Sequence, residues 1–110
     1  MAREVTQEAF AAVWADGALV VDVREADEYA AWHVPGARLM PLPTVPVRCG
    51  ELPADRPVFV ICASGNRSKS AADRMNSAGV DAYSVTGGTG AWARAGRPVT
   101  AGSHEHAARA

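Results

Sequence analysis

At 110 residues, with a formal net charge of −1, 48% hydrophobic and 21% charged residues, the chain has the composition of one soluble globular domain, large enough to bury a core without staples. The near-neutral charge gives no electrostatic footprint for nucleic acid, whose binding domains are strongly basic, and no stretch approaches the roughly 18 apolar residues of a membrane span. Two cysteines, Cys49 and Cys62, are too few for a disulfide framework and lack metal-ligand spacing, so the expected setting is a reducing cytoplasm, with no metal and no cofactor.

The first ten residues are polar and carry no apolar run of the kind a signal peptide needs. Thr6 is placed to cap a first helix in which Phe10, Val13 and Trp14 recur at three- and four-residue spacing, ended by Asp16-Gly17. Residues 18–23 form a short valine-rich run, expected as a buried strand. Residues 25–32 suggest a short helix stopped before Pro35-Gly36, and residues 37–40 a second short strand. Pro41, Pro43, Pro46 and Pro53 interrupt the next stretch; proline is tolerated in a first helical turn but no deeper, which leaves room for one distorted short helix over residues 45–49. The run Val58-Phe59-Val60-Ile61 is a central strand. A polar loop follows, then a helix predicted over residues 68–79 with Ala71, Ala72, Met75 and Ala78 on one face and Gly79 as its C-cap. Residues 82–86 complete the strands, Gly87-Gly88 turn into a short helix around Trp92, and residues 103–110 are expected as a loose tail on a domain spanning 1–102. Strands alternating with helices predict an α/β fold: a small, mainly parallel sheet with helices on both faces. Lys69 is the only lysine among many arginines, a bias consistent with a GC-rich bacterial genome.

In an open parallel sheet, ligands bind beyond the carboxyl ends of the strands. Cys62 stands where the strand 58–61 ends, in the run Cys62-Ala63-Ser64-Gly65-Asn66-Arg67-Ser68. Gly65 and Asn66 tolerate positive φ, so the loop can bend its N–H groups toward one point above the sulfur. The following helix adds free N–H groups and a partial positive charge at its start. Such surroundings lower a cysteine pKa from about 8.5 to roughly 3.5–7.5. Arg67 contributes a permanent charge in a planar fork that suits an oxyanion. No general base lies nearby, and a thiolate nucleophile needs none. Cys62 is therefore the candidate catalytic residue, with Ala63, Ser64, Gly65, Asn66, Arg67 and Ser68 as the candidate substrate-binding loop.

These residues, with three further stretches, resemble the single-domain rhodaneses, the thiosulfate sulfurtransferase-like proteins. Val20-Val21-Asp22-Val23-Arg24 with Glu28-Tyr29 is similar to the family's first signature, and His33-Val34-Pro35-Gly36-Ala37 to its second. The run from Cys62 to Ser68 is similar to the active-site loop, and Gly87-Gly88, Trp92, Ala95-Gly96 and Pro98-Val99 to the C-terminal signature. One departure is Trp32, where the family usually has glycine before the histidine. The proline-rich stretch 41–46 also departs from the usual helix.

The resemblance implies a two-step transfer of sulfane sulfur. The Cys62 thiolate takes sulfur from thiosulfate or a persulfide donor and passes it to cyanide or a thiol acceptor through a Cys62 persulfide. Implied partners are a small sulfur-containing anion such as thiosulfate, a low-molecular-weight thiol, or a donor or acceptor protein. It also places Asp22 and Arg24 near the site in structural charge pairs. Phosphatases and arsenate reductases of similar fold use Cys-x5-Arg; the tighter Cys-x4-Arg ring here suits one sulfur atom better than a phosphoryl group. The competing expectations are a non-catalytic module for protein binding, against which the retained Cys62 and Arg67 count, and a relay that delivers a partner's sulfur.

Other chemistry-bearing residues have plainer readings. Cys49 lies in the proline-rich connection with no basic loop after it and is expected as a non-catalytic thiol. A resolving role for it rests only on there being a second cysteine. His33 reads as a satisfied turn histidine, His104 and His106 as solvated tail residues, and Trp14, Trp32 and Trp92 as packing. Gly88-Thr89-Gly90-Ala91-Trp92-Ala93 fits a dinucleotide-binding pattern, but too little chain follows to complete a βαβ unit.

Overall fold

The computed structural model describes residues 3–103 of the chain. Five strands form one wholly parallel sheet: β1 (Arg3–Val5), β2 (Leu19–Asp22), β3 (Arg38–Leu39), β4 (Pro57–Ile61) and β5 (Asp81–Val85), in the order β1-β5-β4-β2-β3. The central pairs set Val21 beside Val60 and Val60 beside Ser84.

Alternation along β2 and β4 divides the core in two, because successive side chains point to opposite faces. Val21, Val58 and Val60 pack with Ala71, Ala72 and Met75, while Val20, Phe59 and Ile61 pack with Phe10, Tyr29 and Trp92. The first layer is covered by α3 (Val45–Arg48) and α4 (Asn66–Ser77), the second by α1 (Gln7–Ala15), α2 (Ala26–Ala31) and α5 (Gly88–Arg94). Helices therefore flank both faces, as the α/β pattern predicts.

Local chemistry explains most boundaries. Thr6 Oγ1 accepts the Ala9 N–H at 3.1 Å and starts α1. Glu25 and Glu28 form a reciprocal capping box that starts α2. The proline-rich stretch holds the four-residue α3 between 3₁₀ turns at Leu42–Thr44 and Cys49–Glu51, more helical than the single distorted helix expected.

Two expectations are corrected. Helix α4 begins at Asn66, not Ser68, so Asn66, Arg67 and Ser68 belong to its first turn. The reversal is made by Gly65 alone, at φ +111°, and Asn66 needs no positive φ. The sequence reading also missed β1, three residues with no apolar run, held by parallel pairing to β5 and by Arg3 reaching Asp81 at 2.5 Å. Of the tail predicted at 103–110, residues 104–110, with His104 and His106, lie outside the described residues. No helix among the described residues is long and apolar enough to cross a membrane.

Candidate active site

Strand β4 delivers Cys62 to the carboxyl edge of the sheet, and the loop folds back over it before α4 begins. The Cys62 sulfur accepts the backbone N–H of Gly65 at 3.1 Å and that of Ser68 at 3.2 Å, and lies 3.4 Å from Ser68 Oγ. Cys62 is 1% exposed; Ser64 and Asn66 beside it are exposed, and Ala63 is half-buried. Burial resists ionisation of this thiol. The Ser68 hydroxyl and the N–H groups of Ser68 and Gly65, with a lesser part from Ser64, outweigh it and hold the pKa below its ordinary value. The amide cradle expected from the sequence is thus present, and two of its donors are identified.

Arg67 is differently engaged. Its guanidinium forms a two-armed pair with Glu28, at 2.8 and 3.0 Å, joining the first turn of α4 to α2. Hydrogen bonding from Arg67, opposed by partial burial, brings the Glu28 carboxyl down to about 2. Arg67 is therefore a brace for the loop, and its fork is already occupied by a carboxylate. Glu28 also accepts the Glu25 N–H at 2.8 Å, so one side chain caps α2 and anchors Arg67.

Asp22 and Arg24 close on each other in a buried pair, with Arg24 Nε and Nη2 within 3.1 Å of the Asp22 carboxylate. Arg24 Nη2 also donates to the Trp32 carbonyl at 2.8 Å, and its guanidinium lies 5.4 Å from the Trp32 ring centre. Trp32 has φ −174°, extended backbone open to any residue, so tryptophan stands there without backbone strain. His33 is buried, stacked on Tyr29 at 3.6 Å between ring centres, with Nδ1 2.7 Å from the Tyr29 carbonyl. The expectation of a satisfied turn histidine holds for Nδ1 only: Nε2 is buried with no hydrogen-bond partner among the described residues, and the His33 backbone pairs with Thr100 in an isolated antiparallel bridge.

The glycine pattern at 87–90 serves the loop. Thr89 N–H donates to the Cys62 carbonyl at 2.8 Å and Gly90 N–H to the Ala63 carbonyl at 3.0 Å. Gly88 has φ +60°, and a Cβ there would lie 2.7 Å from the Ala63 carbonyl carbon and overlap the Cys62 carbonyl oxygen. The backbone of α5 can seat against the cysteine loop only because position 88 lacks a side chain.

Sequence reasoning did not single out Ser84. Its hydroxyl is buried on β5, 2.7 Å from Ser68 Oγ. A serine in register with Ala82, on the face turned to α4, was the available signal. A hollow of about 230 Å³, lined by residues that include Val13, Ala18, Arg56, Pro57 and Phe59, opens at the amino ends of β2 and β4. That is the end of the sheet remote from Cys62. The converging N–H donors at Cys62 define an anion site, whereas this apolar hollow offers no such group.

The sequence profile of the rhodanese-like domain matches residues 5–95. The chain belongs to the rhodanese-like family. A sulfurtransferase of Allochromatium vinosum is 36% identical over 104 residues, covering 92% of this chain and 97% of that protein. A rhodanese-related protein of Thermoplasma volcanium superposes with a TM-score of 0.81 at 28% identity, covering 89% of this chain and 97% of its own. A rhodanese-like domain protein of Staphylococcus aureus gives 0.77 at 28%, covering 82% and 90%. The five-stranded parallel sheet and the cysteine loop at its carboxyl edge are thus set within the rhodanese-like fold.

Proposed function

We propose that this rhodanese-like chain is a sulfurtransferase in which Cys62 carries sulfur as a persulfide. The observation that carries the reading is the convergence of the Gly65 and Ser68 N–H groups on the Cys62 sulfur at 3.1 and 3.2 Å. The thiolate attacks the terminal sulfur of a sulfane donor. A new S–S bond forms to Cys62, the donor's own S–S bond breaks, and its electron pair leaves with the donor remnant, sulfite when the donor is thiosulfate. The loop amides then face a persulfide anion. A second nucleophile, cyanide or a thiol, bonds to the outer sulfur, and the electron pair of the Cys62–sulfur bond returns to Cys62 as thiolate. No metal or organic cofactor enters either step.

Burial of Cys62 supports a slender donor that reaches it with a terminal sulfur atom. The engagement of Arg67 by Glu28 leaves the amides as the principal anion-binding groups of the loop. Partners on this reading are thiosulfate, a low-molecular-weight thiol or a persulfide-bearing protein, in a reducing cytoplasm that keeps the thiol free. Relatedness to a sulfurtransferase over nearly the whole chain supports the same class of reaction. The test is thiocyanate formation from cyanide and a panel of sulfane donors. The parent chain should turn over and Cys62→Ala should not. Absence of turnover with every donor, or equal turnover by Cys62→Ala, would refute it.

A further inference from the structure

Ser84 and Ser68 are both fully buried, and their hydroxyl oxygens are 2.7 Å apart. Ser68 Oγ has two other neighbours, the Gly65 carbonyl at 3.1 Å and the Cys62 sulfur at 3.4 Å. Among the described residues, the one hydrogen-bond partner found for the Ser84 hydroxyl is Ser68. A buried hydroxyl proton without an acceptor is costly, so Ser84 donates to Ser68. If Ser68 donated to Ser84 instead, the Ser84 proton would have nowhere to go. Ser68 thus keeps its own proton for the Gly65 carbonyl or the sulfur.

We propose that Ser84 is a positioning residue for the Cys62 thiolate, acting through Ser68. In the thiol form, Cys62 donates to Ser68 Oγ, which already accepts from Ser84, and an oxygen accepting twice is the poorer acceptor for each donor. In the thiolate form, Ser68 turns its proton to the sulfur, and the donation it receives from Ser84 makes it the better donor. Both effects favour the thiolate. The same geometry serves the persulfide, whose inner sulfur occupies the Cys62 position. This rests on the reading of Cys62 as the sulfur carrier and adds to it a strand residue outside the loop.

Charged neighbours do not supply the same bias. Arg67 acts on the sulfur through its charge but is paired with Glu28 of α2. Asp22 and Arg24 are closed on each other. Asp81 of β5 is bound by Arg3, Lys69 of α4 lies 3.9 Å from Glu4, and Arg94 of α5 is exposed. The serine pair adds a side-chain lever to the backbone amides that already face this sulfur.

The test is the pH profile of alkylation at Cys62, read by mass spectrometry on its own peptide. Ser84→Ala should raise the thiolate midpoint by about half a unit, roughly a threefold fall in thiolate below the midpoint. Ser68→Ala should raise it by about one unit, roughly tenfold. Ser84→Ala added to Ser68→Ala should shift nothing further, and Ser84→Thr should restore the parent midpoint. An unmoved midpoint in Ser84→Ala, or an equal shift with and without Ser68, would overturn the proposal. Should Ser84→Ala fail to fold, NMR of the parent chain decides: Ser84 side-chain resonances should titrate with the Cys62 midpoint, and their indifference would overturn it. The readout does not depend on turnover. These shifts in a chain that never loads sulfur would support the serine relay while sinking the sulfur-transfer reading. Unchanged midpoints in a chain that does load sulfur would sink the relay alone.

Discussion

The two cysteines of this chain sit in the same apolar cluster, and both are buried, at 7% exposure for Cys49 and 1% for Cys62. Their surroundings run in opposite directions. The Cys49 thiol gives its weak hydrogen bond to the Pro46 carbonyl, 3.9 Å away, at the end of a helix. The Cys62 sulfur receives two backbone N–H groups at the start of one. Burial alone makes a thiol inert; burial against converging donors makes an anion site. The direction in which the peptide groups point, not the apolar packing the two share, distinguishes the two sulfur sites.

The largest expected effect comes from disturbing the backbone on one side of that comparison only. Gly88→Ala would drive a side chain into the Cys62–Ala63 peptide from a residue at φ +60°. It should cost more than about 3 kcal/mol of stability or abolish sulfur transfer outright. Gly50→Ala, beside Cys49, meets nothing within 4 Å and should stay within about 0.5 kcal/mol of the parent. Thermal melts and thiocyanate assays on both variants check this; similar penalties would break the comparison.

A smaller effect is kinetic. At neutral pH a soluble alkylating reagent should label the Cys62 peptide well before the Cys49 peptide, and the Cys62 rate should reach half its plateau below the ordinary thiol pKa of about 8.5. A Cys62 midpoint at or above that value would show that the amides do not prevail over burial.

The smallest effect tests the brace. The Glu28 carboxyl is lowered to about 2 from an ordinary 4.5. A depressed carboxylate stabilises the fold above the unfolded value, and that contribution is lost as pH falls from about 4.5 toward 2. Because the pair is about one-third exposed, solvent screening reduces its worth to about 0.5–1 kcal/mol. Glu28→Gln should lower the neutral-pH melting temperature by a few degrees and flatten the acid limb over that window. An acid limb identical to the parent's would show that the Arg67–Glu28 contact is not formed in solution.

The sequence exposed the parts of this fold that follow local rules. The valine runs gave β2 and β4, Thr6 gave the start of α1, and the Cys62 loop was readable because strand, glycine and helix follow one another within ten residues. The missing parts depend on partners far along the chain. Strand β1 has no apolar signature and exists through pairing with β5, whose matching residues are about 80 positions away. Ser84 acquires its role by facing Ser68 across the sheet–helix interface. For Arg67 the sequence leaves two roles open, orienting a donor or holding the loop, and its pairing with Glu28, the N3 residue of the α2 capping box 39 positions away, is a contact no local pattern announces. Asparagine tolerates the bend as well as the helix, so the sequence does not separate Asn66 from the loop; Gly65 makes the bend alone, and α4 starts at Asn66.

The most direct measurement is peptide-resolved mass after exposure to thiosulfate, followed by cyanide. A gain of one sulfur atom on the Cys62 peptide, removed by cyanide and absent from the Cys49 peptide, is the predicted result. No gain at Cys62, or a gain on both cysteines alike, would contradict the account.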